Sequence, residues 1–253
     1  MSTGPLVPLG GTGPLAMPQG PSSLRSGPFI ASRNGVINAA FARLWLAQAS
    51  STLGDRIHQL ALMWWTIQAT GSLAATGAVL IATTLPAVLL GPVAGALADR
   101  WPRKPLMIAC DVARAFVTLT LAGLAWSGQL SFAAVVAGSA VLACLTALFA
   151  PANMAMVPGL VEERDLLKAN SLMETTMHGA GLLGPALGGA IVAVIGAGGA
   201  FGLNALSFLL SAVALIGIAF PPPPAAADRE TFAESLRGGF RVLGAQPTIA
   251  GLL

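Results

Sequence analysis

Six apolar stretches, at about residues 42–67, 75–97, 105–126, 131–152, 168–195 and 199–220, decide what this chain can fold into. Each exceeds the roughly 20 residues that an α-helix needs to cross the hydrocarbon core of a bilayer. In lipid the backbone must satisfy its own hydrogen bonds, and a helix does so within one segment. The expectation is an all-α, polytopic membrane protein of six transmembrane helices, with the lipid bilayer as its surroundings. Only 9% of the residues are charged, against about 25% in a soluble domain, so a soluble enzyme is excluded. The formal charge of +3 does not argue for nucleic acid, because the basic residues sit at helix ends rather than in one patch.

The charges also set an orientation. The loops near 68–74, 127–131 and 196–200 contain no charged residue, whereas Arg25, Arg33, Arg100, Arg103, Lys104, Arg164, Lys168, Arg229, Arg237 and Arg241 all fall on the other side. Positively charged loops stay inside, so a multi-pass protein of the inner (plasma) membrane with both termini cytoplasmic is expected. Residues 1–34, rich in Gly, Pro and Ser, read as a disordered cytoplasmic tail, and 35–220 as the transmembrane bundle. Residues 221–253 read as a cytoplasmic linker: Pro221 to Pro224 cannot continue a helix, Thr231 to Leu243 is amphipathic, and Pro247 to Leu253 is apolar enough to begin a seventh span. Cys110 and Cys144 lie inside apolar segments and read as packing residues.

An internal echo points to a repeat. Leu89-Leu90-Gly91-Pro92-x-x-Gly95 recurs 93 residues later as Leu182-Leu183-Gly184-Pro185-x-x-Gly188. Three spans separate the copies, which then cross the membrane in opposite directions, as inverted three-helix repeats require.

Polar residues inside the spans are costly and therefore informative. Asp55 lies roughly 20 Å along span 1, near the bilayer centre. Gln48, Thr52, Asp55 and Gln59 are spaced by four, three and four, with Ser51 and His58 flanking. They form one polar stripe that should face a watery cavity, with Asp55 the candidate for taking up a proton. Arg56 points about 100° away, free to pair with an acid on another helix; a purely structural ion pair is the other reading of either residue. Glu174 and His178 share a face of span 5 with Ser171 and Gly181, either to bind substrate and relay protons or to make an interhelical hydrogen bond. Two ligands on one helix are too few for a metal, and no metal or cofactor is expected. No nucleophile–base pair marks the chain as an enzyme. Asp111 and Arg114, three apart on span 3, read as a gating charge cluster.

The most specific motif is Gly95-Ala96-Leu97-Ala98-Asp99-Arg100-Trp101-Pro102-Arg103-Lys104 between spans 2 and 3. It resembles the signature loop of the major facilitator superfamily, with Pro102 at the usual second-glycine position. The resemblance implies a bundle of two inverted three-helix repeats, one half of a transporter, and a loop that latches the two halves in the outward-open state. Gly95 would permit close helix approach, while Asp99 would accept hydrogen bonds or face a helix N-terminus. Gly184, Pro185, Gly188 and Gly189 resemble the superfamily's antiporter-associated Gly-Pro motif. Ser51-x-x-Gly54-Asp55, Pro151-Ala152-x-x-Ala155-x-Val157-Pro158 and Ala169-Asn170-Ser171-Leu172 resemble the macrolide-efflux and enterobactin-exporter-like branch. Together these imply proton-driven export of a small, amphiphilic molecule, with a further six-helix half in cis or as a partner chain. A non-transporting membrane subunit or regulator is the alternative. Many members carry an Arg in span 4; here no charged residue lies between Arg114 and Glu162.

Overall fold

The computed structural model describes residues 38–98 and 101–219; the expected tail, the linker with its amphipathic stretch, and Asp99 and Arg100 lie outside them. Five α-helices account for nearly all of the described residues, and no strand occurs among them. Helix α1, Ala39–Thr70, starts where the Asn38 side chain accepts the Phe41 N–H at 2.8 Å, and stops at Gly71, whose left-handed φ of 62° turns its N–H onto the Ile67 carbonyl. After α2, Leu73–Ala98, and α3, Arg103–Trp126, the Ser131 hydroxyl caps α4, Phe132–Met154. Two short 3-10 turns, Val157–Gly159 and Glu163–Asp165, lead into α5, Leu166–Ile216.

By length and composition, four of these helices can cross a membrane: α2, α3, α4 and α5. Helix α1 has 32 residues, but Arg43, Asp55 and Arg56 make it more polar. Exposed side chains such as Phe116, Leu182 and Val194, at 72%, 80% and 82%, suit contact with lipid rather than water.

The fifth and sixth expected spans form one 51-residue element. At 1.5 Å per residue it would be about 77 Å long, far more than a bilayer is thick. It reverses instead at Gly196, whose φ of 71° and ψ of 176° break the helix. The contacts show the reversal: Thr176, Gly184 and Gly188 meet Trp45, Arg56 and Leu60 in ascending order, whereas Asn204 and Gly217 meet Asp55 and Arg43 in descending order. The loop expected over 196–200 is therefore corrected to one residue. Gly198, Gly199 and Ala200 continue as helix, with Gly198 lying under the Trp126 ring, where a larger side chain would collide.

Glycines bring α1 against both limbs of α5. Gly54 faces Ser207 and Asn204, Gly184 faces Arg56, and Gly188 faces Ile57 and Leu60. The other copy of the echoed pattern packs differently: a Cβ at Gly91 or Gly95 would meet nothing within 4 Å. The close approach expected at Gly95 is thus absent among the described residues. Pro185 is accommodated within continuous helix.

Two apolar clusters hold the bundle together. One gathers Phe41, Leu44, Met107, Phe149 and Leu215 toward one end; the other gathers Ile57, Leu62, Leu121, Val135 and Phe201 toward the opposite end. At the first end, basic side chains hold the closing carbonyls of two helices. Arg103 donates to Ala155 O at 2.8 Å, Lys104 to Ile216 O and Ile218 O at 2.8 and 2.7 Å, and Arg43 to Gly217 O at 2.8 Å. Cations at helix C-termini also complement the helix dipole.

Candidate functional site

A cleft of about 810 Å³ opens among α1, α2, α4 and the first limb of α5. The polar stripe of α1 forms one wall: Gln48, Thr52, Asp55, His58 and Gln59 all line it, and so does Arg56. Opposite stand Ser139, Thr146 and Asn153 of α4 and Thr83 of α2; Asn170 and Glu174 come from α5. Met154, Met173 and Met177 add adaptable apolar surface.

Asp55 is half-buried, and the Asn204 Nδ2 donates to its Oδ1 at 3.3 Å. Asn204 is held in turn by Ser207, whose hydroxyl donates to the Asn204 Oδ1 at 3.1 Å. Gly54 permits this arrangement, because any side chain there would occupy the space of Ser207 and Asn204. Arg56 does not pair with Asp55; its guanidinium donates to Gln59 Oε1 at 3.5 Å.

His58 is 5% exposed, lies 4.8 Å from the Phe201 ring, and leaves both ring nitrogens without a hydrogen-bond partner. Gln48 Nε2, Ser139 Oγ and Asn153 Oδ1 are likewise buried and unpartnered. Unmet donors and acceptors are rare in folded proteins, so five on the four side chains of one cleft leave its wall able to receive the polar groups of a bound molecule.

Not every expected site residue joins the cleft. His178 stands outside the lining with its Nε2 3.6 Å from Glu174 Oε2, both side chains largely exposed. Asp111 and Arg114 pair with each other inside the bundle, while Arg103 and Lys104 bind the carbonyls described above. Gly189 approaches Leu60 only to 3.9 Å from a would-be Cβ. Among the described residues no group of three His, Cys, Asp or Glu side chains is placed to hold a metal, and the cysteines are unpaired.

Sequence reasoning passed over Asn204, Ser207 and Ser211. Their spacing by three and four on an otherwise apolar stretch is the same signal that marked α1, and it was available in the last span. Ser139 and Asn153 were passed over as well: with Thr146 they are spaced by seven and share one face of α4, although the residues three and four away from Ser139 are apolar.

The sequence that builds this cleft is similar to those of known proteins. The family described as transmembrane secretion effector matches residues 32–252. An uncharacterized MFS-type transporter of Bacillus subtilis, YfiS, is 32% identical over 68% of this chain and 40% of its own length. Macrolide efflux protein A of Streptococcus pyogenes is 27% identical over 84% of this chain and 53% of its own. The enterobactin exporter EntS of Shigella boydii is 31% identical over 63% of this chain and 38% of its own. The chain thus spans about half, or less, of the length of the curated relatives it matches.

Proposed function

Because the chain belongs to the major facilitator superfamily, in its transmembrane secretion effector family, we propose that it supplies the first six-helix bundle of a secondary transporter that exports small amphiphilic molecules, drug-like or siderophore-like, in exchange for protons. One observation carries the reading: the half-buried carboxyl of Asp55 sits on the wall of a cleft with unpartnered polar groups and pliable methionines. Such a wall suits amphiphilic substrates of varied shape, and an intramembrane acid beside it suits coupling to protons. Arg56 and Glu174 stand at the same site as further charge, with His178 outside the lining beside Glu174, and Gln48, Thr52, His58 and Gln59 as substrate contacts. The efflux-related names of two relatives and the Gly184-Pro185 pattern favour export over uptake.

Six crossings follow if α1 spans and α5 crosses twice about Gly196, and the one-sided charges favour both termini in the cytoplasm. The echo between α2 and α5 supports an inverted repeat in sequence, although the two copies pack unlike each other. A second six-helix bundle, in cis or as a partner chain, would close the open side of the cleft, and the loop bearing Gly95, Asp99, Arg100, Arg103 and Lys104 would meet it.

The test is the complete transporter in proteoliposomes under an imposed proton gradient, with a macrolide, enterobactin and ethidium as probes. Wild type is expected to move at least one of them against its gradient. Asp55→Asn, which keeps the size and loses the titratable group, is expected to insert normally and to lose gradient-driven movement. Unchanged export by that variant across a pH series would reject Asp55 as the coupling residue.

A further inference from the structure

Behind the cleft, α3, α4 and the second limb of α5 bury a second polar cluster. Asp111 and Arg114, 0% and 2% exposed, form an ion pair. Ser211 donates to Asp111 Oδ2 at 2.7 Å, and the Arg114 guanidinium lies 4.2 and 4.5 Å from the Phe149 and Phe208 ring centres. Arg114 Nε, though buried, has no hydrogen-bond partner.

This cluster is joined to the cleft. Asn204, Ser207 and Ser211 are all buried and share one face of α5, spaced by three and four. Asn204 holds Asp55, Ser207 holds Asn204, and Ser211 holds Asp111. The seven residues from Asn204 to Ser211 set the two acids about 10 Å apart along the helix axis. Asp111 is the acid nearer the end where Arg43, Arg103 and Lys104 lie. The surrounding charges are few. Helices α2 and α4 and the second limb of α5 contribute none, Arg56 turns toward Gln59, and Glu174 and His178 pair on the first limb of α5.

We infer that Asp111 is the acceptor through which Asp55 passes its proton toward the basic end of the bundle, with Arg114 as the fixed counter-charge paired to Asp111. The inference rests on the proposed role of Asp55. In the step, the O–H bond of the Asp55 carboxylic acid breaks and one forms on the Asp111 carboxylate. The proton crosses by the Ser207 and Ser211 hydroxyls and water between them, so negative charge moves from Asp111 to Asp55. Asp111 then releases the proton to solvent at the basic end. The Asp111–Arg114 pair is neutral while Asp111 is ionised, and a buried pair resists net charge. Asp111 therefore holds the proton only in transit.

The experiment uses the complete transporter, uniformly oriented in proteoliposomes, with the pH of the two compartments varied independently and ethidium as the probe. Asp111→Asn is expected to slow proton-driven exchange about a hundredfold, the lower range for losing a positioned proton-transfer group. It should also lose the dependence on pH in the compartment facing the basic end, keep the dependence on the opposite side, and bind ethidium as wild type does. Asp111→Glu should restore both. Should Asp111→Asn fail to fold, Ser211→Ala and Arg114→Lys carry the test, each expected to weaken the same one-sided dependence. Wild-type pH dependence on both sides in any variant that folds would overturn the inference, as would loss of ethidium binding that Asp111→Glu does not rescue. If Asp55→Asn uncouples transport while Asp111→Asn leaves both profiles intact, the relay fails and the role of Asp55 stands. If Asp55→Asn changes nothing, the coupling reading itself fails.

Discussion

Gly54 shows how one missing side chain sets the chemistry of Asp55. With only hydrogen at that position, Asn204 and Ser207 reach the helix one residue before the acid and supply its partner. Gly54→Leu should therefore force α1 away from the second limb of α5, at a cost of about 1–3 kcal/mol for overpacking. Thermal unfolding followed by size-exclusion in detergent should show a lowered midpoint. Gly95→Leu is the control, because nothing lies within 4 Å of its would-be Cβ, and a stability change within about 0.5 kcal/mol is expected there. Equal effects at both positions would contradict the packing described. Much of the site was legible at this scale. The stripe from Gln48 to Gln59 repeats at helical spacing and reaches one cleft intact. The burial of His58 against Phe201, and the partnership of Asp55 with Asn204, were not legible, because each joins residues nearly 150 positions apart and depends on how helices pack.

At the scale of the element, the apolar stretches located each described helix to within a few residues, since hydrophobic length marks ends locally and the caps at Asn38, Gly71 and Ser131 agree with it. The turn after span 5 was misjudged in length because five small residues, 196–200, look like a loop. Only tertiary contact shows that four of them pack as helix while Gly196 alone carries the positive φ. If the chain crosses as proposed, the turns on the uncharged side face outward. In a variant lacking Cys110 and Cys144, single cysteines at Ser72 and Gln129 should react with an impermeant thiol reagent added to intact cells. A cysteine at Glu163 should react only after the cells are opened. Gly198 is a poor reporter despite lying at the third turn, since it is buried beneath Trp126. Labelling of the Glu163 position in intact cells would contradict the orientation.

For the molecule as a whole, the division of labour follows from where polarity is buried. Two apolar clusters hold the ends, while the seam of Asp55, Asn204, Ser207, Ser211, Asp111 and Arg114 runs between them. Removing one partner of the Asp111–Arg114 pair would leave a buried charge, at about 3–5 kcal/mol. The cleft, by contrast, is lined by helices of a single bundle. Alternating access needs two bundles rocking about a site held between them, and the polar lining of a single bundle would face lipid, which is unfavourable. The most direct measurement reconstitutes this 253-residue chain in proteoliposomes under an imposed proton gradient, alone and after co-expression with a matching second six-helix half, following macrolide, enterobactin and ethidium. The account expects no gradient-driven movement of any probe by the chain alone and restored movement with the second half present. Robust proton-driven flux through the chain by itself, in any oligomeric form, would contradict it.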